Sequence, residues 1–491
     1  MNQFGPLPTV KLSSVCTLPF ILALFFAPRL QGATVAIGDV TPALPWTSTT
    51  SPQIGVTGAG TLTVDAGSQL VSNRSVLGYD NGSTGVATVT GAGSAWDNDL
   101  ELHVGYGGNG ALRVEAGAQV SNTYSHVGYT YGATGTATVT GAGSAWINRS
   151  ALYIGYGGGV GVGDVVSGEL HVEAGGHVTS GLGSLGYYDG ATGKATITGE
   201  GSTWAMNDAL YLGYLGNGTL RVEAGGRVSS TNGYVSYASR SSGTATITGA
   251  GSSWNNSSSL FVLDTLRVEA GGQVSSAHGY VDGYLDKGAA TITGAGSIWT
   301  NSASLNVGYS LSGLLRITAG GQVSSINGSI GGYYGNPTGR VIVTGAGSVW
   351  TNSDLLYVGE NGSGALDVES RGLVRVGGRL TIDRYGEGDS FVNMATGGML
   401  ALFGDGDDSL TQFLDLVYGT DAIRYWDSAV GDWAPLTDAI YGDDYTLEYQ
   451  TAGDLAGFTV LTVGVVPEPA TAVLLAIALL GGLARRKRWN A

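Results

Sequence analysis

Apolar and polar residues alternate in short bursts along most of this chain. In Leu220-Arg221-Val222-Glu223 the apolar side chains fall on one side and the charged ones on the other, which is the period-two pattern of a half-buried strand. Gly pairs such as Gly225-Gly226 follow the bursts and are expected to supply positive φ at corners without a Cβ penalty. The pattern then returns. Trp96, Trp146, Trp204, Trp254, Trp299 and Trp350 each close a Gly-Ala-Gly-Ser-x-Trp phrase or a one-residue variant, at spacings of 50, 58, 50, 45 and 51. A fixed period in this range marks one supersecondary unit stacked on copies of itself.

Each unit divides into two similar halves of about twenty-five residues, both opening on Gly, alternating, turning on Gly, and ending near Val-Gly-Tyr or a variant. Strands this short with corners this regular predict an all-β fold, a parallel β-helix in which each half is one coil. About a dozen coils over residues 60–380 would stack to a rod on the order of 60 Å. A β-propeller is the rival, but its blades need four antiparallel strands each, and the two-half symmetry and the high Gly content fit stacked coils better. The long 58-residue interval carries an extra Gly-Val-rich stretch at residues 159–166, read as a loop bulging from one corner. The short 45-residue interval lacks a turn, since Leu263-Asp264 runs straight into Thr265-Leu266-Arg267. Both changes are tolerable at corners because the stacked strands stay intact.

Three rows of side chains are candidates for chemistry. Arg113, Arg221, Arg267 and Arg316, with His171 once, repeat at one outward position, and Glu115, Glu173, Glu223, Glu269 and Glu369 repeat two residues later. The expectation is a solvated face with ion pairs between coils; the alternative is a charged face that binds a polymer. The Trp row is expected to point inward, because Val120, Val178, Val228, Val274 and Val323 take its place in the other half-repeat. The Tyr row at a second corner (Tyr79, Tyr106, Tyr129, Tyr156, Tyr187, Tyr214, Tyr309 and Tyr333) is amphipathic, and Tyr106, Tyr129, Tyr156, Tyr187 and Tyr214 are candidate glycan contacts.

Other motifs are weaker. Asp405-Gly-Asp407-Asp408 offers carboxylates to Ca²⁺ but lacks the spacing of a twelve-residue loop, so a surface turn is the expectation; Asp443-Asp444 offers less. Gly105-Tyr-Gly107-Gly-Asn-Gly110 and Gly181-Leu-Gly183-Ser-Leu-Gly186 match a dinucleotide fingerprint by letters only, with no helix pattern behind them. There is no Gly-x-Ser-x-Gly, His-Glu-x-x-His or phosphate loop, and the five His scatter among repeat positions. No catalytic residue, metal or cofactor is assigned. An enzyme would need convergent carboxylates that break the repeat, and the 159–166 insertion offers only Asp164.

The ends differ from the body. Residues 1–33 read as an export signal: Lys11 precedes an apolar run at residues 15–27, and Gly32 and Ala33 offer a cleavage point. Cys16, the single cysteine, would leave with it, which excludes disulfides and thiol chemistry from the mature chain. Residues 34–54 read as an N-terminal cap, residues 55–380 as the β-helix, and residues 381–466 as a small mixed cap. That cap holds one helix over residues 409–418 and strands at residues 445–449 and 458–463. Pro467-Glu468-Pro469 is followed by a short apolar stretch and then Arg485-Arg486-Lys487-Arg488. The apolar part is short for a permanent span, and the basic cluster would stay cytoplasmic.

These three parts in order resemble the PEP-CTERM sorting signal of Gram-negative bacteria. The body, over residues 55–380, resembles the repeat of PEP-CTERM and type V secreted, autotransporter-associated passenger domains. The resemblance implies passage through the export machinery and transient anchoring in the inner membrane by a C-terminal transmembrane helix. Recognition by an exosortase-type sorting protease would follow, then delivery to the cell surface or an exopolysaccharide matrix. An ordinary autotransporter would also need a C-terminal barrel of many strands, for which the region after the last repeat is too short.

Charge narrows the partners. The chain carries a net charge of −16. Removing both terminal segments takes six basic residues and one acid, leaving 16 basic and 37 acidic residues and a net charge of −21. That argues against nucleic acid and anionic membrane surfaces. The sequence therefore points to a non-enzymatic, exported structural protein of the surface or matrix, with an adhesive role open. A carbohydrate-binding surface protein using the Tyr row is the alternative, and a polysaccharide lyase or hydrolase stands behind it.

Overall fold

The computed structural model describes residues 33–130, 132–157, 165–283, 288–332, 334–386, 389–418 and 420–464. The chain forms two units, Met1–Gln31 and Gly32–Ala491, and the described residues lie in the second. They build a β-solenoid of about 13 turns. One turn shows the plan. A long strand, Thr84–Thr90, is followed by two short ones, Ala95–Asn98 and Glu101–Val104, before the next turn opens at Asn109–Glu115. The long strands pair in parallel and in strict register, Thr84 with Asn109 and Asn109 with Thr134. Each half-repeat is thus one coil.

The core explains why the sequence repeats every two coils rather than every one. Coils with a Trp carry Ala in the long strand, or Val341 in the Trp350 coil, and Leu in the third strand, as with Ala245, Trp254 and Leu260. The preceding coil inverts the sizes, with Leu220, Val228 and Gly233. Gly233 is a socket for its neighbour: a Cβ there would lie 2.6 Å from the Trp254 indole and 2.8 Å from Leu260. Gly183, Gly279 and Gly328 stand in the same relation to Trp204, Trp299 and Trp350. A knob on one coil fills a hole in the coil before it, so close packing is reached only by the pair.

Five of the six repeat Trp indoles find a partner inside the coil, while Trp350 Nε1 has none among the described residues. The Trp96 Nε1 donates to Ser72 Oγ at 3.0 Å and the Trp146 Nε1 to Asn122 Oδ1 at 2.9 Å. Trp204, Trp254 and Trp299 reach Ser180, Ser230 and Ser276 at 3.2 to 3.4 Å. The Ser of the repeated phrase is a staple: Ser94, Ser144, Ser202, Ser252, Ser297 and Ser348 each accept the amide of a corner Gly one coil back, at 2.9 to 3.0 Å. The corner itself differs from the expectation. Positive φ falls on Ala224 and Gly225, at 51° and 87°. Gly226 serves closeness instead, since a Cβ there would lie 2.3 Å from the Ile197 carbonyl oxygen.

Reversed strands stop the parallel stack at both ends. Thr34–Gly38 pairs antiparallel with Ala59–Val64. At the other end Phe458–Val463 lies antiparallel between Met399–Phe403 and Tyr445–Tyr449. The short interval keeps its register because Asp264 replaces the missing turn. Its carboxylate accepts from Ser242 Oγ, the Gly243 amide and Thr265 Oγ1 at 3.0 to 3.1 Å. The insertion at residues 159–166, including Asp164, falls for the most part outside the described residues. The cap helix runs Gly406–Val417, three residues earlier than the apolar pattern indicated. Asp405 is its N-cap, accepting from the Asp407 and Asp408 amides, so the acidic turn considered for Ca²⁺ is a helix start.

Candidate functional site

The regular register brings the Tyr corner into one continuous stack. Tyr79, Tyr106, Tyr129, Tyr156, Tyr187, Tyr214 and Tyr237 follow one another with ring centroids 4.7 to 5.2 Å apart, which is the spacing between coils. The planes lie within 10° of parallel except at Tyr106–Tyr129, where they open to 23°. The row gains Tyr237 over the sequence reading. It breaks where the shortened corner puts Leu263-Asp264 in the next coil. Tyr309 lies farther along, and Tyr333 falls outside the described residues.

A second aromatic row runs beside the first, and sequence reasoning missed it. It occupies the middle position of the third strand: His103, His126, Tyr153, then Ser184, then Tyr211, Tyr234, Phe261 and Tyr280, all aligned by register. Its rings stack at 4.7 to 5.2 Å within each run. They also meet the corner row edge-on, as at His126–Tyr156, 4.8 Å and 80°. The signal was present as the middle letter of Leu-His-Val, Leu-Tyr-Ile, Leu-Tyr-Leu and Leu-Phe-Val, but it mixes three residue types and skips Ser184.

This geometry fixes what the five candidate tyrosines present. Tyr106, Tyr129, Tyr156, Tyr187 and Tyr214 each hold a ring against both faces. Sugar stacking needs an open face, so these five offer only their rims. Tyr237, last in the stack and 44% exposed, meets a stacked ring on one face alone. Burial pushes the Tyr129, Tyr153, Tyr187 and Tyr234 phenols above the ordinary range, and Tyr211 up to about 12.

The ladder begins in a charged cluster. Arg74 pairs with Glu101 at 2.9 Å, and the His103 Nε2 lies 3.0 Å from the same carboxylate. His103 and His126 stack at 4.8 Å, and each leaves a buried Nδ1 without a partner. Desolvation holds both imidazoles neutral, His126 down to about 3. The Arg74 guanidinium also reaches the His103 Nε2, from Nε at 3.3 Å, and the hydrogen bond between His103 and Glu101 holds that carboxyl down to about 2.

The Arg and Glu rows pair differently from the expectation. Arg113 meets Glu115, Arg221 meets Glu223 at 2.7 Å, and Arg267 meets Glu269 at 3.7 Å, all within one strand. Adjacent coils carry Thr at both positions, Thr88 and Thr138 flanking Arg113, so the nearest opposite charge is two residues along the same face. Lys194–Glu169 is a pair that does cross coils. All these groups are substantially exposed, so each pair contributes little. Neither fingerprint-like glycine stretch opens a helix; residues 105–110 form a corner and residues 181–186 enter the strand Leu182–Leu185. Among the described residues no group of three or more acidic, His or Cys side chains is arranged to hold a metal.

Fold and rows together define a β-solenoid whose repeated residues are engaged in stacking coil on coil. The particular signal lies beyond it: the family model described as the PEP-CTERM protein-sorting motif matches residues 465–488. That span includes Pro467, Glu468, Pro469, Arg485, Arg486, Lys487 and Arg488, which lie outside the described residues, as does the expected C-terminal helix. The motif implies an exported protein, anchored at the membrane and processed by an exosortase-type protease. Among the described residues no helix is long and apolar enough to cross a membrane. No curated protein was found to match the chain.

Proposed function

We propose that this exported solenoid is a non-enzymatic structural element of the cell surface or extracellular matrix of a Gram-negative bacterium. The observation that carries the reading is the use of the repeated phrase. Its Trp fills the socket of the preceding coil, its Ser staples a corner, and its glycines make the turns. Residues spent on stacking build a stiff scaffold whose stability is a sum over neighbouring coils. The acidic surface keeps such scaffolds soluble through export.

A second reading, a carbohydrate-binding surface protein, is favoured by the doubled aromatic row. Its contacts would be ring rims and the open face of Tyr237 rather than a platform of faces. One experiment separates the two. Tyr129, Tyr156 and Tyr187 are replaced together by Ala, and both thermal stability and retention in exopolysaccharide are measured. The structural reading expects a lower Tm, each lost ring pair weakening the stack by about 0.5–1.5 kcal/mol, with retention unchanged. Loss of retention in a variant that remains folded would favour the glycan reading.

A further inference from the structure

The solenoid begins at an open sheet edge. Thr34–Gly38 pairs antiparallel with Ala59–Val64 on one side, and among the described residues no strand pairs with it on the other. The Asp39 amide donates to the Ala59 carbonyl at 2.9 Å and the Asp65 amide to the Ala33 carbonyl at 3.1 Å. Backbone groups alternate in direction along an antiparallel strand. The odd-numbered residues from 33 to 39 therefore turn theirs toward Ala59–Val64, while Thr34 and Ala36 turn theirs to the open edge. Val35 and Ile37 stand on the outer face, 42% and 65% exposed. Ile37 is more exposed than any other large apolar side chain in a described strand. An unpaired apolar edge of this kind is a template for a further strand.

The opposite end is guarded. Its edge strands carry Asp432 and Pro435 in one sheet and Glu448 in the other, and charge and proline are ordinary blocks to edge pairing. Residues 381–464 hold 15 acidic and 2 basic residues, whereas residues 33–73 hold Asp39, Asp65 and no basic residue. Both of those acids are already engaged. Asp39 accepts the Thr57 and Gly58 amides at 2.7 and 2.8 Å, and Asp65 accepts the Ala33 amide at 3.2 Å. We propose that the open edge docks a second copy of this chain, the two Thr34–Gly38 strands pairing antiparallel about a two-fold axis at Ala36. Two acidic ends repel each other, and the blocked edges offer no register, so a copy meets this edge with its own uncharged one. The register is self-complementary. The two Ala36 residues exchange backbone hydrogen bonds, and Val35 of each copy lies beside Ile37 of the other on the outer face. Four aliphatic side chains then form one patch of cross-strand contacts. The interface is small, so association depends on concentration. It rests on the edge alone and not on the scaffold reading, so the two fail separately.

The test is analytical ultracentrifugation of the full-length protein, purified after export in mild detergent. A concentration-dependent doubling of mass is expected. Ile37→Lys should weaken the association by about tenfold or more. Its far-UV circular dichroism and Tm should stay unchanged, because the side chain points to solvent in a single copy. Register is read by cross-linking in a Cys16→Ser background. Val35→Cys and Ile37→Cys should form a disulfide when the two single variants are mixed and oxidised, since such opposed residues lie about 4.5 Å apart between Cα atoms. Neither variant alone should cross-link. A monomer at every concentration would overturn the proposal and leave the edge to residues 1–32 of the same chain. So would a dimer indifferent to Ile37→Lys, or cross-links that form as readily within either variant alone.

Discussion

At the scale of residues, the fold is held by groups whose protonation matters little except at one place. His126 is buried with its pKa lowered from 6.5 to about 3, chiefly by desolvation. An imidazole of that kind binds its proton more readily in the unfolded chain. Its contribution to stability is therefore full above about pH 6.5 and is lost as pH falls toward about 3. Glu101 acts in the same direction at lower pH, its contribution full above its ordinary 4.5 and lost as pH falls through about 2. Thermal stability should fall on acidification from neutral pH. His126→Phe, which keeps a ring in the stack, should flatten the upper part of that fall. If wild type and variant lose Tm in parallel between pH 6.5 and 4, the histidine is not the cause.

At the scale of elements, the unit of construction is the pair of coils. The inward Trp row was legible because Val stands in its place in alternate halves, and the structure buries all six tryptophans completely. The cap strands Tyr445–Tyr449 and Phe458–Val463 were legible from alternation. The socket was not, because Gly233 reads as one more turn residue in a chain with 85 glycines, and only register shows that Trp254 leans over it. The second aromatic row was hidden for a related reason: His103, Tyr153 and Phe261 share a position rather than a letter. The direction of pairing in the Arg and Glu rows was legible but misjudged: Thr138 and Thr140 already stood in the intervening coil, and they leave Glu115 as the nearest opposite charge to Arg113. The socket makes a sharp prediction. Gly233→Ala should destabilise the solenoid by about 1–3 kcal/mol through overpacking, and Trp254→Phe should partly relieve it. A double-mutant cycle by chemical denaturation reads the coupling; simple additivity would mean that the two coils do not interlock.

At the scale of the whole molecule, parallel register carries one small set of contacts along about 13 turns, and the reversed strands at each end keep the stack from continuing. The solenoid explains how a chain with little charge and much glycine makes a persistent scaffold, while the sorting motif at residues 465–488 explains why it is exported. The measurement that joins the two is mass spectrometry of the terminal peptides of the protein recovered from washed cells and matrix of its native host. The account predicts a chain that has lost everything after Pro469 and is found outside the inner membrane. An intact sequence through Ala491 confined to the inner-membrane fraction would contradict it, leaving a periplasmic solenoid held on a short anchor.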